Sequence, residues 1–298
     1  MMNALKKPKL FRDTRSAKNL PYLLIAPVAL YLLCFMLFPF AWAVYISFTD
    51  KIIGVEGNFV GLKNYIDLLK DRIYLKSILN TFIFTGGSVL LKVIIGITMA
   101  TVLNEQIKGR NFFRSIFLLP WTIPTVIAVL IWQWMFSDVG GVLNAILQGI
   151  GFKNQVLWLS EGKTAMLSVI LVNTWKGMPF IAISVLAALQ SISPVFYDAA
   201  KVDGTNAVQR FFYLTIPQIK DVIILATLMT TIWTLNNFEV VWLLTKGGPS
   251  NATNVVAIYS YITAFLNSYL SKGIASSIMA FPFMIVLINK ATRKMLEE

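Results

Sequence analysis

Three ionisable side chains interrupt otherwise apolar stretches of the sequence: Lys92, Lys176 and Glu239. If such stretches cross a membrane, an ammonium group at depth costs about 2.5 to 3.5 kcal/mol on insertion scales, so a lysine there is by default a functional residue. For Lys176 two interpretations are open: it faces an anionic ligand, or it forms a structural pair with Glu239. Lys92 is expected to snorkel or to pair, and we give it no role in ligand binding.

The remaining reactive residue types do not indicate catalysis. The sequence has no histidine, and its one cysteine, Cys34, lies inside an apolar run. It therefore lacks the commonest general base and metal ligand, and it cannot build a disulfide or a Cys-based metal site within the chain. It also lacks the Gly-x-x-x-x-Gly-Lys-[Ser/Thr] motif that cradles nucleotide phosphates. We predict no catalytic residue, no metal site and no cofactor bound by this chain.

The composition places these residues in a membrane protein. Of the 298 residues, 57% are hydrophobic and only 13% are charged, a balance that water-soluble domains of this length do not show. A helix needs about 20 apolar residues to cross the hydrocarbon of a bilayer, so the chain has room for about six spans. We predict an all-α integral membrane protein with six transmembrane helices, at residues 21–48, 79–103, 115–136, 164–190, 220–245 and 273–290.

Basic residues indicate the orientation of these spans. The net charge of +12 is concentrated in the N-terminal tail, residues 1–20, and in the loops between apolar runs. This distribution is typical of membrane orientation, so we do not expect nucleic acid as a partner. The tail should stay in the cytoplasm, and with six spans the C-terminus lies there as well. Residues 21–298 then form one transmembrane domain in the cytoplasmic membrane.

The longest patterned polar segment is the loop 191–219 between the fourth and fifth predicted spans. Ser193 and Pro194 suit the start of a helix, and Gly204 suits the left-handed position that ends it. Thr205 or Asn206 can cap a second helix. On that helix one face carries an apolar stripe and another carries a single cation, a pattern that favours docking onto another protein. The stripe consists of Val208, Phe211 and Phe212, and the cation is Arg210.

The same loop carries a motif. Asp198-Ala199-Ala200 is followed at fixed spacing by Gly204 and then by Leu214-x-Ile216-Pro217. This pattern resembles the cytoplasmic loop of the permease subunits of binding-protein-dependent ABC importers. The resemblance implies a type I ABC importer permease fold in which the loop is a coupling helix seated in a cleft of a separate ATPase. The implied coupling residues are Asp198, Ala199, Ala200, Asp203, Gly204, Arg210, Phe211 and Pro217. The alternative is a solvated loop with an ordinary helix cap.

Further motifs resemble the carbohydrate branch of this family, in particular the larger permease of maltose systems. They include Asn173-Thr-Trp-x-Gly177-x-Pro179 and Leu244-Thr-x-Gly-Gly-Pro249. By this similarity, substrate lies at mid-membrane among residues of the fourth and fifth spans. The implied substrate-binding residues are Asn173, Lys176, Gly177, Phe180, Thr230, Trp233 and Thr234. Without the resemblance, either group could equally serve helix packing.

Lys176 departs from the maltose members, which have an aliphatic residue there. A cation facing the cavity would suit an acidic sugar such as a uronate oligosaccharide or a sugar phosphate, and a pair with Glu239 remains the alternative. Asn236 and Asn237 on the fifth span either line the pathway or form hydrogen bonds across spans, and we favour the second.

The resemblance also implies partners. They are a second, different permease subunit, two ATP-binding subunits that hold ATP and Mg, an extracytoplasmic solute-binding protein, membrane lipid and a sugar. The location would be the bacterial inner membrane. The rival is an ion-coupled secondary sugar transporter, which would require several acids along one path and internal symmetry of the spans. Glu239 is the only clear acid within a predicted span, so we favour the importer.

Overall fold

The structure, a computed structural model, describes residues 14–105 and 108–296, and in its first and last helices it describes only part of the side chains. Within that range the chain is a succession of helices. They are α1 Thr14–Leu32, α2 Phe38–Ser47, α3 Lys63–Lys70, α4 Arg72–Asn104, α5 Arg110–Thr122, α6 Thr125–Met135, α7 Val142–Gly149, α8 Gly162–Ser191, α9 Pro194–Val202, α10 Ala207–Gln209, α11 Ile216–Leu235, α12 Glu239–Thr245, α13 Val256–Tyr261 and α14 Leu270–Leu296. Residues 1–13 of the predicted basic tail lie outside the described residues.

Short π-helical turns extend three of these helices. The turn Leu33–Leu37 joins α1 to α2, Arg210–Thr215 joins α10 to α11, and Ile262–Leu266 follows α13. As a result α1 and α2 form one continuous rod that covers the first predicted span. Helices α4 and α8 cover the second and fourth predicted spans and extend beyond them, so these elements begin and end a few residues outside the predicted limits.

Among the described residues, four helical segments are long and apolar enough to cross a membrane, and five if a bent pair is one span. The four are Leu24–Ser47, α4, α8 and Ala207–Leu235. The sixth predicted span lies on α14, some of whose side chains are outside the described part, so that span stays a prediction.

The third predicted span, 115–136, is wrong as a straight helix. Helices α5 and α6 meet there at an angle of 97°. The cause is Pro124, which has no backbone N–H and which forces the preceding residue out of the helical region. Ile123 accordingly adopts an extended conformation with ψ of 130°.

The fifth predicted span, 220–245, is also interrupted. Helix α11 ends at Leu235 and α12 begins at Glu239. At the break the asparagine side chains bond to nearby backbone: Asn236 Nδ2 donates to Ile232 O at 3.0 Å, and Asn237 Oδ1 accepts from Val240 N at 3.2 Å. Such local bonds compete with the helical ladder. Among the described residues neither asparagine side chain bonds to another span, so the expectation that they bond across spans is not met there.

Two apolar clusters lie along the seam between α4 and α8. One contains Phe84, Val169 and Val172, towards the start of both helices. The other contains Ala100, Ile181 and Val185, towards their ends. Between them the buried side chains are polar, with Lys92 on α4 and Asn173 on α8. The apolar core is thus divided by a polar layer at half the length of α8, and this layer positions the site.

Candidate functional site

The polar layer opens into a cavity of about 170 Å³. Lys176 and Gly177 are the two central residues of the 30-residue helix α8, so the cavity lies midway along it. All seven residues implied as substrate-binding line this one cavity: Asn173, Lys176, Gly177, Phe180, Thr230, Trp233 and Thr234. Four further residues complete the lining, namely Lys92, Trp121, Asn237 and Val240.

One side of the cavity is aromatic. The rings of Phe180 and Trp233 meet edge to face with centroids 4.8 Å apart, and Trp121 lies 6.4 Å from Phe180. The three rings come from α8, α11 and α5, so the wall forms only when these helices pack together. An aromatic face of this kind suits the apolar face of a sugar ring.

The rest of the lining is largely polar and hydrogen-bonded. Lys92 Nζ donates to Thr234 Oγ1 at 2.9 Å, and that hydroxyl donates in turn to Thr230 O at 2.6 Å. Asn173 is 4% exposed, and its Nδ2 has no hydrogen-bond partner among the described residues. A buried amide donor without a partner is costly. A ligand hydroxyl or oxyanion in the cavity would satisfy it.

Lys176 reaches the break between α5 and α6. Its Nζ donates to Ile123 O at 2.7 Å. That carbonyl has no helical partner because the chain leaves the helix at Ile123, and a cation at the C-terminal end of α5 also complements the helix dipole. Across the described part of the chain, no ion pair joins Lys176 to Glu239, although the carboxylate acts on it through space. The direct structural pair considered from the sequence is therefore not formed.

Among the lining residues that were not predicted as substrate-binding, Lys92 is the one with an ionisable side chain. It is only 4% exposed, and its stem packs on Gly177, where an added Cβ would lie 2.5 Å from Lys92 Cε. It does not snorkel to an interface, and among the described residues it forms no ion pair with an acid. A signal was available, because Thr85, Ser88 and Lys92 recur at helical spacing and form one polar face of α4.

The loop 191–219 forms a second, exposed candidate site. It lies where α8 ends and α11 begins. Helix α9 begins with Pro194 in its first turn, as predicted, while the Ser193 side chain makes no capping bond. Gly204 has φ of +77°, the left-handed conformation predicted for it. Asn206 then starts the next helix with a capping box, since it bonds to Gln209 in both directions.

The predicted second helix of this loop is continuous with the helix of the fifth predicted span. Helices α10 and α11 and the π-helical turn between them form one helix, Ala207–Leu235. Arg210 lies at this turn and donates from Nη1 to Thr205 O at 2.6 Å, and Tyr197 on α9 bonds to Thr215 at 3.1 Å. The loop is thus fixed to a rod of 29 residues, about 40 Å long at 1.5 Å per residue. Its far end carries Thr230, Trp233 and Thr234.

The loop exposes several apolar side chains, which is unfavourable if they face only water. Val202 is 88% exposed, Val195 71% and Phe212 60%, while Phe211 is half-buried beneath Phe212. Asp198 is exposed and forms an ion pair with Lys201 at 3.0 Å. The other implied coupling residues, Ala199, Ala200, Asp203, Gly204 and Pro217, lie around the same surface. Several exposed apolar side chains on one short loop are typical of an interaction surface.

Comparison with known proteins identifies the family. Residues 92–293, more than half of the chain, match the family model described as the inner membrane component of binding-protein-dependent transport systems. The matched range contains both the cavity and the loop.

Individual relatives agree with this. The chain is 36% identical over 274 residues to the trehalose/maltose transport system permease protein of Thermococcus litoralis, covering 92% of this chain and 91% of the relative. It is 32% identical over 268 residues to the sulfoquinovosyl glycerol transport system permease protein of Agrobacterium fabrum, covering 89% and 86%.

A solved structure establishes the fold. The chain superposes on a subunit of a bacterial ABC transporter involved in import of the acidic polysaccharide alginate, with a TM-score of 0.79, 22% identity, and coverage of 95% and 96%. The predicted type I importer permease fold is confirmed. In this family the membrane-embedded permease and the ATP-hydrolysing protein are separate subunits, so the rival of an ion-coupled carrier is set aside. The chain belongs to the inner-membrane permease components of binding-protein-dependent transport systems.

Proposed function

We propose that this chain forms half of the transmembrane path of an ATP-driven carbohydrate importer and couples that path to partner ATPases. The observation that carries the proposal is the connection between two surfaces by one helix. Ala207–Leu235 begins in the exposed loop and ends in the cavity. A movement imposed on the loop therefore reaches the cavity through a single element.

The lining of the cavity supports a carbohydrate as the solute. A sugar presents an apolar ring face and several hydroxyl groups, and the cavity offers both aromatic rings and amide, hydroxyl and amino groups. The relatives named for trehalose/maltose and for sulfoquinovosyl glycerol support the same class of solute. In this proposal the seven lining residues carried over by resemblance contact the substrate.

The exposed loop would dock on an ATP-binding subunit. Its apolar side chains fit the helix-in-groove mode of recognition, in which a short helix buries its apolar face in a partner's cleft. ATP and Mg would be bound by that partner, and this chain would have no ATPase activity of its own. Binding of ATP can shift the permease between states only if the loop makes different contacts in each state.

The assembly would contain two permease subunits, two ATP-binding subunits and a solute-binding protein on the outer side. The cavity supports a second permease because Trp121 and Trp233 on its aromatic wall are about half exposed. A different permease rather than a second copy remains our expectation from the resemblance. Both termini would lie in the cytoplasm, on the same side as the loop 191–219.

Reconstitution tests this function. The chain is purified with its co-expressed permease and ATP-binding subunits, inserted into liposomes, and supplied with the solute-binding protein and radiolabelled sugars. We expect uptake that requires ATP inside the liposomes together with every subunit. Uptake driven by an ion gradient without ATP would refute the proposal.

A cavity variant refines this test. Trp233→Ala removes one ring of the aromatic wall, and the loss of about 0.5 to 1.5 kcal/mol of aromatic contact predicts uptake about two- to tenfold lower. Trp42→Ala is the matched control, since Trp42 is similarly exposed and lies on α2, away from the cavity. An equal loss in both variants would show that the cavity does not bind the sugar.

A further inference from the structure

The cavity is lined by more basic side chains than a neutral sugar requires. Lys92 and Lys176 line it from two helices, and its lining contains no acidic residue. Glu239, on α12, acts on Lys176 through space but is exposed, and among the described residues it forms no ion pair with it. The lining of the cavity thus has two basic side chains and no carboxylate in contact with either.

Both ammonium groups have donors to spare. Within the described residues each makes one hydrogen bond, Lys92 to the Thr234 hydroxyl and Lys176 to the Ile123 carbonyl, and both acceptors are neutral. An ammonium group has three donors. Two N–H groups of each lysine are therefore available to bind a ligand. In this buried layer a charge without a counter-ion is costly.

The neighbouring groups point to an oxyanion as the missing partner. Asn173 Nδ2 is buried in the same wall without an acceptor, so it adds another donor to those of the lysines. Gly177 leaves room for the Lys92 side chain to lie across α8 and reach the cavity. The rings of Phe180 and Trp233 line the same cavity, and a sugar ring would stack on them.

Resting on the carbohydrate function proposed above, we infer that the cavity binds an anionic sugar, with Lys92 and Lys176 as direct ligands of its acid group. The acid group is a carboxylate or a phosphate ester, both of which accept several charge-assisted hydrogen bonds. The inference gives Lys92 a specificity-determining role, in addition to its contact with Thr234.

Calorimetric titration tests the inference on the full assembly of permeases and ATP-binding subunits, without the solute-binding protein and its own selectivity. The probes are a galacturonic acid disaccharide and galactose 6-phosphate, each compared with its neutral counterpart, a galactose disaccharide and galactose. Hydrogen bonds to charged groups predict that at least one acidic probe binds about 10- to 100-fold more tightly than its counterpart. The acidic probe with the larger preference identifies the acid group.

Variants then assign the preference to the lysines. We expect Lys92→Met and Lys176→Met each to reduce the ratio of acidic to neutral affinity by about tenfold or more. The ratio is the readout because a general folding defect weakens both probes in parallel. A wild-type ratio near one, or a ratio unchanged in both variants, would overturn the inference and leave the carbohydrate function intact. If no sugar of either kind binds, the carbohydrate function itself fails, and the inference fails with it.

Discussion

At the scale of single residues, Asp71 is the carboxylate on which several helices converge. It caps α4 by accepting from Ile73 N at 2.9 Å, and it accepts from Tyr259 Oη at 2.7 Å and from Lys272 Nζ at 3.1 Å. Burial alone would raise the pKa of Asp71, but the hydrogen bonds from Tyr259 and Lys272 outweigh it and hold that pKa below its ordinary value. Asp71 thereby joins α4 to α13 and α14.

This pKa has a consequence for stability. Because the pKa in the folded protein lies below the value of about 3.9 for an unfolded aspartate, the stabilisation is complete above that value and is lost as the pH falls through the folded pKa. Asp71→Asn keeps a capping residue and removes the charge, which should cost about 1 to 3 kcal/mol at neutral pH.

Thermal unfolding in detergent checks this at about pH 7 and at a second pH well below the ordinary aspartate pKa of 3.8, because the stabilisation is lost as the pH falls through the lower pKa of the folded protein. The gap between Asp71→Asn and wild type should narrow at the lower pH. Asp67→Asn, an exposed change on α3, serves as the control and should leave the transition in place. A gap of equal size at both pH values would show that the charge of Asp71 is not what stabilises the fold.

The residues of the cavity show how far single residues can be assigned from sequence. Asn173, Lys176, Gly177 and Phe180 share a helical face, and the resemblance named them together. Lys92 was given no role in ligand binding because no motif includes it. Helical spacing alone does not show which neighbouring helix packs against a given face of α4. Only the packing of α4 on α8 shows that its side chain crosses Gly177 into the cavity.

At the scale of elements, the seam between α4 and α8 depends on a close approach at Gly96. An added Cβ there would lie 2.6 Å from the Cβ and Cγ2 atoms of Ile181, which is fully buried. Isoleucine is branched at Cβ and stiff, so it has no free rotamer with which to move aside. Glycine lets the two helices pack at this distance, as small residues commonly do between membrane helices.

We therefore expect Gly96→Ala to force the helices apart and to destabilise the protein by about 1 to 3 kcal/mol. Gly86→Ala is a matched control on the same helix, because an added Cβ there meets nothing within 4 Å. The control should be neutral or slightly stabilising, since alanine favours helix over glycine by about 0.5 to 1 kcal/mol. Denaturation of both variants in one detergent measures the difference, and equal stability of the two would exclude a tight seam at Gly96.

Sequence patterns located the helices better than their breaks. Apolar length and helical propensity placed both ends of α8 within two residues and the end of α4 within one, while α4 begins seven residues before its predicted span. Pro124 carried a signal for the bend between α5 and α6, but hydropathy continues through it and predicts one span. The helix Ala207–Leu235 was divided into a loop helix and a span, because hydropathy alone does not show that the helix capped by Asn206 continues into the span.

At the scale of the whole molecule, the structure has large surfaces suited to lipid or to another subunit. In the segment Leu24–Ser47 the most apolar stretch is entirely unburied. The loop surface around Val202 and the open side of the cavity are exposed as well. A sequence can indicate that such faces exist through their apolar residues, but which partner covers each face depends on chains with which this one assembles.

The central claim is that the loop 191–219 is the contact through which a separate ATPase drives this permease. Val202→Glu tests it, because Val202 is 88% exposed and its replacement should not affect folding. Val139→Glu is the matched control, since Val139 is equally exposed and lies between α6 and α7, in a loop predicted on the outer side.

The measurement is co-purification of the ATP-binding subunit with each variant, followed by ATP-driven uptake in liposomes. Placing a charge in a docked apolar patch should remove most of the ATPase from the Val202→Glu complex and abolish uptake, while Val139→Glu should keep its ATPase. If Val202→Glu keeps both its ATPase and its uptake, the loop is not the coupling surface and the account is wrong.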